Sequence, residues 1–465
     1  MQGFSRRQVL QILGAGAVGI GCGSETGQEK GSQHGSLAHP ATSEPTGLQM
    51  LAQIDTIVVV MMENRSFDHY FGALKRDAAY PNAGSVTGTS GTESNPAPTG
   101  PEVVIHPAET FTLADPPHSF DASHKQFNGG KNDQFVIVHE GPNQNQVMAY
   151  YDRTQIPFYY WLADNFTVCD HWHASVMGPT WPNRLYLHAG TSAGKKNNTP
   201  NILTPPKTIW EQMRAAGKST KNYYAGSTPF LPGALPTKLG VTTFAKMDKF
   251  FADAKAGTLP ALSYIDPDWS VSDDHPAHDI RLGQSFVSSI YKALSESPQW
   301  SRSLMILIYD EHGGFWDHVA PPVAPDDRAD FRQFGFRVPA ILIGPTVKKG
   351  HLSTTAYDHT SVLATVAARF GLPALTTRSA AANALTDIFD PARFDNPAPP
   401  PANPPVIELD AAALSTIGVS SQEELDDAIQ NGTIPSHIVD ERPHDARIQS
   451  WLREAESLGA VRFIR

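Results

Sequence analysis

Two pairs of polar residues follow runs of apolar residues in the sequence. Glu63-Asn64 comes directly after the apolar run 54–62, and Asp310-Glu311 comes after a second such run. Carboxylate and amide oxygens are ligands for hard or borderline divalent cations. Histidines near such a centre can contact phosphate oxygens, bind a metal or protonate a leaving group. The two pairs therefore predict a divalent metal site, provided that the fold brings them together.

Two further segments add hydroxyl and imidazole groups. Segment 170–192 holds Thr180 between Pro179 and Trp181, and segment 272–280 is rich in Asp and His. A hydroxyl in a tight turn can act as a metal-activated nucleophile. Each feature alone has an ordinary explanation, because Thr is common in turns and strand-end acids are usually solvated. Their combination in one chain favours a catalytic site.

The elements that must position these residues are strands alternating with helices. Apolar runs of strand length are typical of strands buried on both faces, as in parallel sheets. We predict strands within segments 54–62, 219–226, 259–268, 303–314 and 337–345. Helical spacing is found at 207–217, 280–297 and 358–371.

This alternation predicts an α/β fold, a three-layer sandwich with a central, mostly parallel sheet and helices on both faces. Ligands of such sheets bind at the carboxyl ends of strands. Glu63-Asn64 and Asp310-Glu311 lie at such ends.

The N-terminus resembles an export signal. Arg6-Arg7 precedes a short, moderately apolar stretch, which resembles a twin-arginine signal over residues 1–22. Cys22 is a candidate for lipid attachment, although Gly19 stands where such signals carry Leu. We therefore predict export to the periplasm or the cell exterior, with a lipid anchor at Cys22 as an open alternative.

The remaining segments differ in composition. We predict a flexible tether at 23–50, a catalytic domain at 51–390 and a proline-rich linker at 391–405. Residues 406–465 are interpreted as a small helical C-terminal appendage, peripheral and without chemistry. Its helices are predicted at 420–432, with a Ser/Glu capping box, and at 444–459.

Charge and cysteine content exclude other classes of protein. The formal charge of the 465 residues is −11, which argues against a nucleic-acid partner. Two cysteines provide no disulfide framework, and Cys169 is predicted to be a core residue rather than a nucleophile.

Four stretches of sequence together resemble a known family. They are MMENRSFDHYFG (61–72), GPTWPNRLYLHAGTS (178–192), DDHP (273–276) and YDEHGGFWDHVAPP (309–322). Over about residues 54 to 372 the chain resembles the bacterial phosphoesterase family, which contains phospholipases C and acid phosphatases. The resemblance implies a fold of the alkaline-phosphatase-like superfamily, in agreement with the alternation of strands and helices.

The resemblance also implies roles for individual residues. The implied metal ligands are Glu63, Asn64, Thr180, Asp310 and Glu311. Thr180 occupies the nucleophile position, where the phospholipases C have Thr and the acid phosphatases have Ser. His118 and His275 match histidines that contact phosphate or the leaving group. The identity of the metal and the roles of Arg65, His278, His312 and His318 stay open.

We therefore expect a secreted, metal-dependent phosphoric ester hydrolase. It would cleave phosphodiesters such as phosphatidylcholine, as a phospholipase C does, through a covalent phosphothreonine intermediate. One alternative is an acid phosphatase acting on phosphomonoesters, and another is a non-catalytic surface lipoprotein that retains the fold. The expected partner is a phosphate ester, with phospholipid as a candidate, and membrane contact is at most peripheral or through a lipid anchor. The head group and the oligomeric state stay open.

Overall fold

The apolar run at 54–62 forms a strand in the middle of an eight-stranded sheet. The structure, a computed structural model, describes residues 44–200, 204–415, 418 and 420–464. The strands of the sheet are β1 (Thr56–Met62), β2 (Thr167–Cys169), β3 (Thr220–Tyr224), β4 (Thr243–Lys246), β5 (Leu262–Asp266), β6 (Ser303–Tyr309), β7 (Ala340–Ile343) and β8 (His351–Ser353). Every residue of β1 is buried, as expected of a central strand.

The sheet is mostly parallel, as the sequence predicts. Its order is β8-β2-β7-β6-β1-β5-β3-β4. Only β7 runs against its neighbours β6 and β2, and all other pairs are parallel. The strand predicted at 337–345 is present, but it is antiparallel to the strand before it. The chain between β6 and β7 contains no α-helix, and a parallel pair would need a crossover connection that is usually helical.

Helices cover both faces of the sheet. The longer helices are α1 (Phe120–Phe127), α2 (Pro157–Asn165), α3 (Thr180–Ala189), α4 (Ile209–Ala215), α5 (Met247–Ala256), α6 (Ile280–Ser295), α7 (His359–Phe370), α8 (Glu423–Gln430) and α9 (His444–Ser457). Shorter α-helices span Gly47–Ala52, Phe67–Phe71, Phe135–Val138, Phe230–Ala234, Thr377–Ala381 and Ala411–Ser415.

Two strand tyrosines show which helices lie on opposite faces. The Tyr264 hydroxyl donates to the carbonyl of Leu187 in α3, whereas the Tyr223 hydroxyl donates to Asp253 in α5. Tyr223 pairs in register with Ile265, the residue after Tyr264. Successive residues of a strand point to opposite faces, so α3 and α5 lie on different sides of the sheet. The predicted three-layer sandwich is confirmed.

The C-terminal part of the chain packs onto this core. Helix α9 contacts α6, and the short strand Ile407–Leu409 pairs with Val461–Phe463. The helices predicted at 420–432 and 444–459 correspond to α8 and α9. The capping box predicted for α8 is wrong, because the residue before the helix is Gln422, whose side chain makes no capping bond.

The described end of the predicted tether departs from expectation, because it is helical. Residues 1–43, which include the predicted export signal, Cys22 and most of the tether, lie outside the described residues. Met50, at the predicted end of the tether, is buried within helix Gly47–Ala52.

Cys169 is free and buried, as predicted for a core residue. No helix within 44–464, as far as it is described, is long and apolar enough to span a membrane.

Candidate active site

The two polar pairs meet because their strands are neighbours in register. In the parallel pair β1–β6, Met62 is the partner of Tyr309, so Glu63 and Asp310 leave the sheet at the same edge. The main-chain N–H of Asn64 donates to Oδ1 of Asp310 over 3.0 Å. The structure thus brings together the two strand ends that the sequence singles out.

Three oxygens at this edge have no hydrogen-bond partner among the residues that the structure describes. They are Asn64 Oδ1, Asp310 Oδ2 and Glu311 Oε1, and their residues are fully buried. A buried polar atom without a partner is costly, and oxygens of this kind are the ligands of hard divalent cations. The chemistry of the donor set therefore fits a divalent metal. Glu63, Asp310 and Glu311 do not, however, form a described group with ligand atoms within 4.8 Å of one another.

Glu63 differs from these ligand candidates because its carboxylate already has partners. It accepts hydrogen bonds from Ser421 Oγ and Gln422 Nε2, each over 3.0 Å. Burial raises the pKa of Glu63 well above its ordinary value, although Arg184 acts in the opposite direction. From the sequence, residues 406–465 are interpreted as peripheral. That interpretation is wrong for Ser421 and Gln422, because both contact a predicted metal ligand. The domain boundaries themselves stay a prediction.

Arg184 is one of the residues of this centre that the sequence analysis missed. Its guanidinium lies 3.3 Å from Glu63 Oε1 and 3.5 Å from Asp310 Oδ2. It also donates to the main-chain carbonyl of Met61 and stacks over Trp269. Burial raises the pKa of Asp310 to about 7 while Arg184 opposes that rise. The available signal was a lone arginine in an otherwise largely apolar helix, one turn after Thr180.

Thr180 is the first residue of α3 and lines a cavity of about 660 Å³. The positive end of the helix dipole therefore lies at the cavity and favours an anionic ligand there. The side chain of Asn183 fixes the turn before Thr180, because it donates to the carbonyls of Val176, Gly178 and Pro179. The cavity is also lined by Asp115, His118, Asn198, His275, His278, Ser420, Ser421, Glu423 and Glu424.

His118 connects the cavity to the strand-end residues. Its Nε2 lies 3.3 Å from Asn64 Nδ2 and 3.8 Å from Glu311 Oε1. Burial lowers the pKa of His118, but Glu311 and Asp115 outweigh burial, so the net shift is upward. A raised pKa makes the imidazole easier to protonate. As placed, Nε2 accepts from the Asn64 amide, so the ring is neutral while that contact lasts.

His275 faces His118 across the cavity, with 5.8 Å between the ring centroids. Its Nδ1 contacts the carbonyl of Pro276, and burial lowers the pKa of His275. Asp273 organises this loop, because its Oδ1 accepts from the His275 N–H at 3.0 Å and from His278 Nδ1 at 2.6 Å. His278 is thus engaged with a carboxylate that also contacts Ser421.

Arg65, which the sequence left between a phosphate contact and an ion pair, forms no ion pair among the described residues. Its Nε and Nη2 donate to the main-chain carbonyl of Asp274 over 2.9 and 2.6 Å. The side chain is fully buried and lies over the ring of Phe315. Arg65 therefore holds the loop that carries His275.

His312 and His318 have different surroundings. His312 Nδ1 lies 3.0 Å from Glu311 Oε2, so it supports a candidate ligand. His318 Nδ1 lies 2.6 Å from Asp68 Oδ2, in a cluster with Asp317 that Arg337 also joins.

Two groups of side chains in the described ranges have ligand atoms within 4.8 Å of one another. They are Asp115, His118 and His275, and Asp68, Asp317 and His318. Arg337 forms ion pairs with both carboxylates of the second group, which therefore already have a cationic partner. The first group lies in the cavity beside Thr180.

The sequence model of the phosphoesterase family matches residues 54–373 of this chain. The chain therefore belongs to the phosphoesterase family, and it is a phosphoric ester hydrolase. This leaves the alternative of a non-catalytic lipoprotein without support. The resemblance noted at about residues 54 to 372 is confirmed.

Relatives of known name cover most of the chain. Non-specific phospholipase C1 of Arabidopsis thaliana is 36% identical over 383 residues, 72% of this chain and 71% of the relative. Non-specific phospholipase C6 of the same plant is 32% identical and covers 73% of each chain. Phospholipase C A of Mycobacterium tuberculosis is 33% identical over 70% of this chain and 74% of its own. A solved structure from the alkaline phosphatase superfamily, from Vibrio parahaemolyticus, is 12% identical over 66% of this chain and 76% of its own, with a TM-score of 0.33.

Proposed function

We propose that this hydrolase is a metal-dependent phosphodiesterase of the phospholipase C type with Thr180 as its nucleophile. The observation that carries the proposal is that α3 holds both Thr180 and Arg184, and that Arg184 lies against Glu63 and Asp310. The candidate nucleophile is thus on the same rigid element as the residue that contacts two candidate metal ligands. Relatives named phospholipase C support this reaction class.

The proposed metal ligands are Glu63, Asn64, Thr180, Asp310 and Glu311. The unpartnered oxygens of Asn64, Asp310 and Glu311 support this set. A bound divalent cation would neutralise charge on the phosphoryl group and lower the pKa of the Thr180 hydroxyl.

The chain's own residues account for the movement of protons and of the phosphoryl group. Thr180 Oγ1, as the alkoxide that a lowered pKa favours, forms a bond to phosphorus as the bond to the leaving oxygen breaks, and a phosphothreonine ester results. His275 donates a proton to the departing alkoxide, which is diacylglycerol for a phospholipid. Water then cleaves the threonine ester, and His275 accepts its proton. Hydrolysis of this ester returns Thr180 as the alkoxide. His118, protonated once its contact with the Asn64 amide is broken, holds a phosphate oxygen meanwhile.

Phosphodiesters are the proposed substrates, and phosphatidylcholine is an example. The identity of residue 180 supports this choice, because Thr stands there in the phospholipases C that the chain resembles. We also propose that the protein is exported through its twin-arginine-like N-terminus, with at most peripheral or lipid-anchored membrane contact.

A substrate panel tests the proposal. Full-length protein would be treated with a chelator, reloaded separately with Mg²⁺, Ca²⁺, Mn²⁺ or Zn²⁺, and assayed on an aryl phosphorylcholine diester and on an aryl monophosphate. We expect at least one metal to restore turnover with a higher kcat/KM for the diester. A preference for the monophosphate would replace the proposal with an acid phosphatase, and full activity after chelation would contradict the metal centre.

A further inference from the structure

We propose that Ser421 and Gln422 are positioning residues that orient the carboxylate of Glu63 for metal binding. This inference rests on the proposed function, because it requires Glu63 to be a metal ligand. Both residues lie outside the range 54–373 that matches the family model. The motifs of the family therefore do not supply these contacts, and the C-terminal segment of this chain does.

The orientation of the Gln422 amide is determined by its neighbours. The indole Nε1 of Trp181 lies 2.7 Å from one end of the amide. Since an indole N–H can only donate, that end must be the oxygen. The amide nitrogen then faces Glu63 and donates to Oε1 at 3.0 Å and to Oε2 at 3.2 Å. Gln422 thus presents donors to both oxygens of the carboxylate and fixes its plane.

Ser421 lies between two carboxylates. Its Oγ is 3.0 Å from Glu63 Oε2 and 2.7 Å from Asp273 Oδ2. A hydroxyl carries one hydrogen, so it donates to only one of these oxygens at a time. The hydroxyl therefore lies within hydrogen-bonding distance of both the Glu63 carboxylate and Asp273 and donates to either one, and Asp273 also accepts from the His275 N–H.

The two residues are themselves held firmly. The Ser421 N–H donates to the carbonyl of Trp269 over 2.6 Å, and Gln422 is 1% exposed. Helix α8, which follows Gln422, packs closely against the short helix Phe230–Ala234. A Cβ added to Gly233 of that short helix would come within 2.2 Å of Leu425 Cδ2 in α8. A rigid support of this kind is what a metal ligand needs from the side chains behind it.

Metal affinity measured without substrate tests this role. Calorimetric titration of Mg²⁺, Ca²⁺, Mn²⁺ or Zn²⁺ into chelator-treated full-length protein would give Kd for the wild type, Gln422→Leu and Ser421→Ala. Thermal unfolding of each protein, with and without the metal, would give the increase in Tm that metal causes. Gln430→Leu is the matched control, because it makes the same substitution at the exposed last residue of helix α8, which Gln422 precedes.

We expect Kd to rise about tenfold or more in Gln422→Leu and in Ser421→Ala, and the metal-induced increase in Tm to shrink. Trp181→Phe, which removes the N–H that orients the amide, should also raise Kd, by less than Gln422→Leu does, because Gln422 itself remains. Gln430→Leu should keep the wild-type Kd.

A merely structural role would lower Tm equally with and without metal and leave Kd unchanged, which would overturn the inference. If Gln422→Leu did not fold, Ser421→Ala and Trp181→Phe would decide in the same way. Absence of metal binding in the wild type would instead overturn the proposed metal centre itself.

Discussion

The guanidinium of Arg184 and the carboxylate of Glu63 form a buried ion pair, with 3.3 Å between Nη2 and Oε1. The same guanidinium also approaches Asp310 and Asp266. Arginine stays protonated in proteins, so Arg184 partly balances the negative charge of a centre that also contains Glu311. The fold therefore does not depend on a metal alone to keep these carboxylates together.

Replacing Arg184 should destabilise the protein strongly. Arg184→Met would leave buried carboxylates without their cation, and breaking such pairs costs about 3–5 kcal/mol. Urea unfolding in the presence of a chelator measures the free energy of unfolding. Arg328→Met is the control, because Arg328 pairs with Asp330 at the surface and should cost less than about 1 kcal/mol. Equal losses in the two variants would contradict the role of Arg184.

Variants of His275 should respond to the leaving group. A general acid matters most for a poor leaving group, so His275→Asn should lower kcat about 10²–10⁴-fold for an alkyl phosphodiester. The loss should be much smaller for a p-nitrophenyl ester, whose phenolate needs little protonation. The control is His171→Asn, which changes a histidine that is not among the cavity-lining residues. Identical losses for both esters would assign His275 a role other than proton donation.

Asp274 should make stability depend on pH. Burial raises the pKa of Asp274 from 3.8 to about 6, although Tyr309 and Tyr159 donate to its carboxylate. The folded state thus holds a proton that the unfolded state has released, and this stabilisation is lost as pH rises from about 4 to 6. The loss is up to about 3 kcal/mol.

Asp274→Asn removes this titration, and Asn tolerates the positive φ of 71° at this position. Urea unfolding of both proteins at pH 4.5 and pH 7.5 would measure the difference. We expect the wild type to lose more stability than the variant between these two conditions. Parallel pH profiles would show that Asp274 does not titrate in this range.

Chelation should reduce both activity and stability. Removing a divalent metal from the strand-end site should lower turnover at least about 100-fold and lower Tm, since a ligand that binds only the folded state stabilises it. Asp310→Asn should keep the fold but regain little activity when metal is added back. If added metal restored wild-type activity to Asp310→Asn, Asp310 would not be a metal ligand.

Much of the fold and part of the site follow from the sequence. The runs before Glu63 and Asp310 are apolar because their strands are buried on both faces of the sheet. The alternation of strands with helices predicts that the carboxyl ends of these strands lie at the same edge of the sheet. The apolar run of β7 does not reveal its antiparallel direction, because it has the same composition as a parallel strand. The available signal was the lack of a predicted helix between residues 314 and 337.

The site residues that the sequence did not predict are those that reach the site through contacts between distant parts of the chain. Nothing local in the sequence marks Arg184 as a partner of Glu63, more than 100 positions earlier. Ser421 and Gln422 are farther still, and their segment has the polar composition of a helix start. Only the packing of α8 against the core brings them to the strand end.

In the proposed reaction Thr180 becomes covalently attached to the phosphoryl group, and mass spectrometry can detect that adduct. Metal-loaded protein would be mixed with an aryl phosphorylcholine ester, quenched in acid within the first turnover and digested. We predict that the peptide containing Thr180 carries the phosphoryl head group, and that Thr180→Ala shows neither the adduct nor turnover. Near-wild-type turnover in Thr180→Ala, or an adduct on another residue, would show that Thr180 is not the nucleophile.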